Sequence, residues 1–162
     1  MIVGFPPILS NDVKILILGS MPSVTSLEKQ EYYGYQHNRF WKVLSYLYQM
    51  PINTYDEKKQ IILQNQLGLW DVIHACEREG SLDSAIHHEI VNPIDELLIQ
   101  YPSIHTIICN GKKSYQIYQK YFKHLNIHVI SLPSTSNANA MWKLERLYEV
   151  WNKGLKGDND GN

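Results

Sequence analysis

Cysteine is scarce in this chain: its 162 residues hold two, Cys76 and Cys109, far apart and in no CxxC pair. Two thiols exclude both a disulfide framework and a four-cysteine metal or iron–sulfur site. The expected compartment is therefore the cytoplasm. Long apolar runs are absent too. No stretch approaches the roughly 20 residues needed to cross a bilayer, so no membrane partner is expected. Met1 to Leu9 holds Pro6 and Pro7 and no basic stretch leading into an apolar run, so no signal peptide is expected there. Charge of one sign is also missing, the formal net charge being −1. A nucleic-acid partner would need a local patch and backbone amides rather than bulk charge.

The histidines show no metal-ligand spacing: His74 and the pair His87-His88 match none, and His105, His124 and His128 read as surface positions. No metal is expected. There is no GxGxxG, and Gly111-Lys112-Lys113 lacks the upstream glycine and the Ser/Thr of a phosphate-binding loop, so no cofactor is expected either. Repeats are absent. The tail 154–162 is mostly Gly, Asp, Asn and Lys and reads as disordered, leaving one domain over residues 1–153.

What is present is enough apolar matter for a core, 44% of residues, with eleven Tyr and four Trp. Such rings fill a core or stack on nucleobases, and composition alone favours the core. Val13–Leu18 (VKILIL) is a β-branched apolar run that ends at Gly19, as a strand buried on both faces would. Thr106–Cys109 and Ile127–Leu132 have the same character, and Leu67–Ile73 is a weaker fourth strand. Helical spacing covers Asn38–Tyr48, Asp56–Asn65, Pro93–Tyr101 (Asn92 as N-cap, Pro93 at N1), Lys112–Phe122 and Asn139–Trp151. Strands alternating with helices predict a three-layer α/β/α sandwich around a four-stranded, mainly parallel sheet. Sites in such folds lie beyond the carboxyl ends of the strands. That rule nominates the loops after Gly19, Asp71, Asn110 and Pro133.

Each loop has an ordinary reading beside a functional one. Gly19-Ser20-Met21-Pro22-Ser23 is a plain connection, or a turn whose amides face a ligand. Glu31–Trp41 (EYYGYQHNRFW) is a helix start capped by Asn38 with Phe40 and Trp41 in the core, or a stacking wall with one amide pointed into it. Asp71 caps a turn or supplies a carboxylate. Asn110-Gly111 is a common turn dipeptide whose amide also sits where a base edge could be read. Leu132–Asn139 (LPSTSNAN) is an elaborate helix cap or a set of phosphate donors.

Taken in order, Ile15–Leu44, Gly68–Ile86, Cys109–Tyr118 and Leu132–Ala140 resemble the uracil-DNA glycosylase superfamily, closest to its hypoxanthine-DNA glycosylase branch. The resemblance covers nearly the whole chain except the tail. It implies a DNA-repair hydrolase that flips a deaminated base out of double- or single-stranded DNA and cuts its N-glycosidic bond, acting as a monomer without a cofactor. It implies Asn38 as the catalytic amide. Tyr33 would stack on the flipped base with Phe40 as its neighbour, and Asp71 and Asn110 would line the base-recognition end. Gly19, Ser20, Met21, Pro22 and Ser23 would form the active-site loop. Met21 stands where sister families place Asp or Asn, so that loop supplies no catalytic side chain. Ser134, Thr135, Ser136 and Asn137 would clamp the DNA backbone and help fill the vacated stack. The chain departs from the branch pattern at Tyr35-Gln36, in place of His-Pro, and at Asn137, in place of Pro. Leu132 stands where the best-known uracil enzymes have His.

These residues suggest a chemistry. Extruding a base costs a few kcal/mol, least at a mismatch or lesion. Breaking the N-glycosidic bond builds positive charge on the sugar and negative charge on the base. Asn38 would accept a hydrogen bond from water and hold it under the anomeric carbon. Asn110 would match the O6 and N1–H of hypoxanthine and leave adenine unpaired. Asp71 would serve as acceptor or base. The rivals are the same fold acting on uracil or G/U mismatches, a non-catalytic nucleic-acid-binding module, and a nucleoside hydrolase acting on free inosine.

Overall fold

The computed structural model describes residues 1–157. Its centre is a sheet of four parallel strands in the order β3-β2-β6-β7. These are β2 (Ile15–Gly19), β3 (Leu67–Asp71), β6 (Thr106–Asn110) and β7 (His128–Leu132). Successive side chains of a strand point to opposite faces, and here both faces are covered. Leu16, Leu18, Ile107 and Cys109 join the core under α4 (Ile94–Gln100) and α5 (Lys112–Phe122). Ile17, Leu67, Leu69 and Ile108 join a second core under α2 (Phe40–Tyr48), α3 (Tyr55–Gln64) and α6 (Leu144–Lys156). This is the expected three-layer sandwich. The uninterrupted apolar runs of the central strands follow from burial on both sides.

The register aligns the strand tips. Gly19 pairs with Asp71, Leu18 with Cys109, and Asn110 with Leu132. The carboxyl ends of the strands therefore meet at one edge, as the sequence rule requires.

Several expectations are corrected. Leu67–Ile73 is not one strand: the chain leaves the parallel sheet at Asp71 and enters β4 (Ile73–Glu77). There it pairs antiparallel with β1 (Ile2–Val3) and β5 (His87–Val91) in a second, three-stranded sheet that no sequence pattern announced. Asn92 is not the N-cap of α4. Its buried amide donates to the carbonyls of Asp71 (2.7 Å) and Ile73 (3.3 Å) and holds the bend between the two sheets, while Pro93 takes the cap position. A short helix α1 (Val24–Lys29) follows the first loop, its N-cap Ser23 accepting from the Ser26 backbone N–H at 3.1 Å.

The last helix starts at Leu144 rather than Asn139: the Asn139 carbonyl accepts from the Trp142 N–H at 3.1 Å in a separate turn and from Arg39 at 3.2 Å, and the Trp142 carbonyl accepts from Arg39. It also continues past the expected domain end at 153. Leu155 is buried and Gly154 lies so close to Leu132 that a Cβ would come within 2.7 Å of its Cδ1. Of the expected tail, residues 158–162 lie outside the described residues. No helix among the described residues is long and apolar enough to cross a membrane.

Candidate active site

The aromatic wall is built first. Tyr32 is tied on three sides: its hydroxyl donates to the Pro6 carbonyl at 2.8 Å, its backbone N–H donates to the Tyr55 hydroxyl at 3.0 Å, and its carbonyl accepts from Trp41 Nε1 at 2.8 Å. These ties hold Tyr33 in the left-handed region, with φ of 52°. For a residue with a Cβ that conformation costs about 1–2 kcal/mol, and such strain collects at functional sites. It places the Tyr33 ring flat on Phe40, with centroids 4.1 Å apart and planes 23° from parallel. Phe40 is wholly buried, with Trp41 and Trp151 against its edges. Phe40, expected as a base-contacting neighbour of Tyr33, lies in the core. It backs Tyr33 from the core, and Tyr33 is the partly exposed ring.

Asp71 ends β3 and is buried. A Cβ on its register partner Gly19 would lie 2.5 Å from Asp71 Oδ1 and 2.8 Å from the Tyr33 hydroxyl, so glycine lets both polar groups close on the strand tip. Asp71 Oδ2 is buried with no hydrogen-bond partner among the described residues. Burial first, and then the negative charge of Asp83, raise the carboxyl to about 7 against the opposing pull of Arg78. Near neutral pH this group can therefore hold its proton. The Tyr33 hydroxyl is pushed far up, by burial and then by Asp71, and stays protonated.

On the other side of Gly19, Asn110 ends β6. Its carbonyl oxygen accepts from the Thr135 backbone N–H (3.1 Å), and its amide nitrogen donates to the Tyr33 hydroxyl and to Thr135 Oγ1, both at 3.1 Å. Thr135 in turn donates to Asn38 Oδ1 at 2.8 Å. That oxygen also accepts from the Phe40 backbone N–H at 2.9 Å. While these bonds hold, the Asn110 amide, expected to read a base edge, has both its N–H groups engaged within the protein. The structure nonetheless brings Asn38, Tyr33, Asn110 and Thr135 into one network, with Asp71 beside it across Gly19.

The last loop departs most from expectation. Thr135, expected at the DNA backbone, is fully buried and turned toward Asn110 and Asn38. Ser134 and Ser136 are partly exposed, each accepting from the N–H two residues on at 3.1 Å, and Asn137 is exposed. In the first loop, Met21 and Pro22 are buried, Met21 within the core, while Ser20 donates to Asp83 at 2.7 Å.

Three site-building residues escaped the sequence reading. Arg39 donates through its guanidinium to the carbonyls of Thr135, Ser136, Asn139 and Trp142, and so staples the last loop to the start of α2. Arg78 donates to the Pro22 carbonyl, leaving Nε and Nη1 buried without partners among the described residues. Asp83 holds Ser20. Arg39 stood in plain view in HNRFW, but backbone carbonyls as partners leave no trace in a sequence.

The model of the uracil DNA glycosylase superfamily matches residues 6–156. A "Hypoxanthine DNA glycosylase" of Methanosarcina acetivorans is 37% identical over 145 residues, covering 88% of this chain and 91% of the relative. A protein of the same name from Methanosarcina barkeri is 35% identical over 138 residues, covering 84% and 87%. The solution NMR structure of a candidate uracil DNA glycosylase from Methanosarcina acetivorans superposes with a TM-score of 0.79 at 35% identity, covering 95% of this chain and 98% of the other.

Proposed function

Because the chain belongs to the uracil DNA glycosylase superfamily, we propose that it excises hypoxanthine, the deamination product of adenine, from DNA by hydrolysing the N-glycosidic bond. The observation that carries this is Asp71 Oδ2, unpartnered among the described residues, at the strand tips beside Tyr33, whose hydroxyl is joined through Asn110 and Thr135 to the Asn38 amide. A buried polar atom without a partner costs about 1–3 kcal/mol. Supplying its partner with a base that carries an O6 acceptor and an N1–H would recover that cost.

In this reading the flipped base lies against Tyr33, whose ring is held from behind by Phe40. Neutral Asp71 donates from its carboxyl to the base and meets the negative charge that grows there as the bond breaks. An ionised Asp71 would instead repel the departing base. Asn38 acts at the glycosidic bond. Ser134, Ser136 and Asn137 are the exposed polar groups of the last loop and face the DNA backbone, joined by the Gly19–Ser23 loop on the other rim. The enzyme works as a monomer in the cytoplasm, on double- or single-stranded DNA, as one domain and with no cofactor.

The test is a panel of oligonucleotides, each with one inosine, uracil or xanthine, incubated with the protein and then treated with alkali to reveal abasic sites. Cleavage fastest at inosine is expected. Cleavage mainly at uracil would reassign the substrate, and no cleavage at any lesion would leave a nucleic-acid-binding module.

A further inference from the structure

The hydrogen bonds around Asn38 have a direction that two backbone N–H groups fix. Two members of the network are backbone N–H groups, which can only donate. The Phe40 N–H faces Asn38, so the Asn38 atom there is its carbonyl oxygen. The Thr135 N–H faces Asn110, so the Asn110 atom there is its carbonyl oxygen. The Asn110 amide nitrogen is then turned toward Thr135 Oγ1, which accepts from it at 3.1 Å. The single hydroxyl proton of Thr135 is left for Asn38 Oδ1, 2.8 Å away. An amide oxygen accepts two hydrogen bonds readily, and both places on Asn38 Oδ1 are filled. Its Nδ2, with two N–H groups, makes no hydrogen bond to another described residue.

We propose that Thr135, itself held by Asn110, is a positioning residue that locks the Asn38 amide with its nitrogen toward the substrate, so that Asn38 serves the reaction as a donor to the departing base. This rests on the glycosylase reading above and replaces the water-holding role that the sequence suggested for the Asn38 oxygen. In the step itself the C1′–N9 bond breaks with its electron pair going to the purine. Water adds its oxygen to C1′, and the proton it releases ends on the purine, which leaves as neutral hypoxanthine. The Asn38 N–H groups stabilise the electron pair arriving on the base. Such donors act most when they are already oriented before charge develops.

The two roles predict different responses to the leaving group. A donor to the base matters most for a poor leaving group and less for a more acidic base such as xanthine. A water-holding group matters equally for both. The experiment measures single-turnover excision of hypoxanthine and xanthine from duplex DNA by wild type, Thr135→Val, Thr135→Ser and Asn38→Ala, with a thermal melt of each protein. Thr135→Val removes the hydroxyl at nearly constant shape, and Thr135→Ser restores it. The expected result for Thr135→Val is a loss of about 10- to 100-fold on hypoxanthine, a smaller loss on xanthine, and recovery by Thr135→Ser to within about threefold of wild type. Asn38→Ala is expected to show the same bias between the two bases. A wild-type rate in Thr135→Val, a Thr135→Ser as slow as Thr135→Val, or equal losses on both bases would overturn the proposal. Should Thr135→Val fail to fold, the Asn38→Ala bias decides alone. A wild type inactive on both bases would instead overturn the glycosylase reading itself, a result distinct from any of these.

Discussion

Asp71 and Asn110 end the two strands that flank β2, on either side of Gly19, yet their surroundings are opposite. Every N–H of the Asn110 amide has a protein partner and its oxygen accepts from the chain. Asp71 has a buried oxygen with none among the described residues. The difference shows that one end of a sheet can be divided between scaffold and chemistry. A satisfied buried amide rigidifies what it touches, here Tyr33 and Thr135. An unsatisfied carboxyl is a standing cost to the fold, and a bound partner would remove it.

The largest expected effect lies where the two sides meet the substrate. Asn38→Ala is expected to lower the single-turnover excision rate about 100- to 1000-fold, as for loss of a preoriented donor, with DNA affinity by gel shift changed little. A loss of affinity as large as the loss of rate would place Asn38 among the binding residues only.

On the scaffold side, Asn110→Ala is expected to slow excision about 10-fold or more, and to lower stability by about 1–3 kcal/mol, because it strands the Thr135 N–H and frees the Tyr33 hydroxyl. If base discrimination collapsed while stability and rate held, Asn110 would be a reader after all and the division would be wrong. Arg39→Met, which removes four carbonyl contacts, is expected to cost about 2–3 kcal/mol. Differential scanning calorimetry would show this as a Tm lowered by about 5–10 °C.

On the chemistry side the signature is pH. The Asp71 carboxyl, raised to about 7, is neutral below that pH and ionised above it. The excision rate should therefore fall as pH rises through about 7, and Asp71→Asn should flatten the profile there. The stability sign runs the same way. The folded protein holds this proton more tightly than the unfolded chain, whose carboxyl titrates near 3.8. The favourable contribution is full below that value and lost as pH rises toward about 7. Asp71→Asn at pH 8 is thus expected to raise Tm, by about 5 °C, while wild type and variant converge in acid. An unchanged Tm at pH 8 would mean that solvent reaches the carboxylate.

The central sheet was legible because strands buried on both faces must be largely apolar, as Ile15–Leu18 and Ile107–Cys109 are. The loops nominated for a site followed from topology, while the choice of Asn38 and Tyr33 within EYYGYQHNRFW came from the family resemblance. The second sheet was not legible. Its β5, HHEIV, is an edge strand with three exposed residues and offers little apolar pattern, and β4 begins only one residue after β3 ends. The inward turn of Thr135 was hidden because a hydroxyl in a loop reads the same whether it faces water or Asn110. The orphan state of Asp71 was hidden for a related reason: it depends on which donors are missing around it.

The most direct test is a crystal structure with duplex DNA carrying 2′-fluoro-deoxyinosine, whose glycosidic bond resists hydrolysis. The account predicts the base flipped against Tyr33, with Asp71 Oδ2 and Asn38 Nδ2 within hydrogen-bond distance of it and the Asn110 amide still bound to Thr135. A base held instead by the Asn110 amide, with Asp71 out of reach, would contradict it.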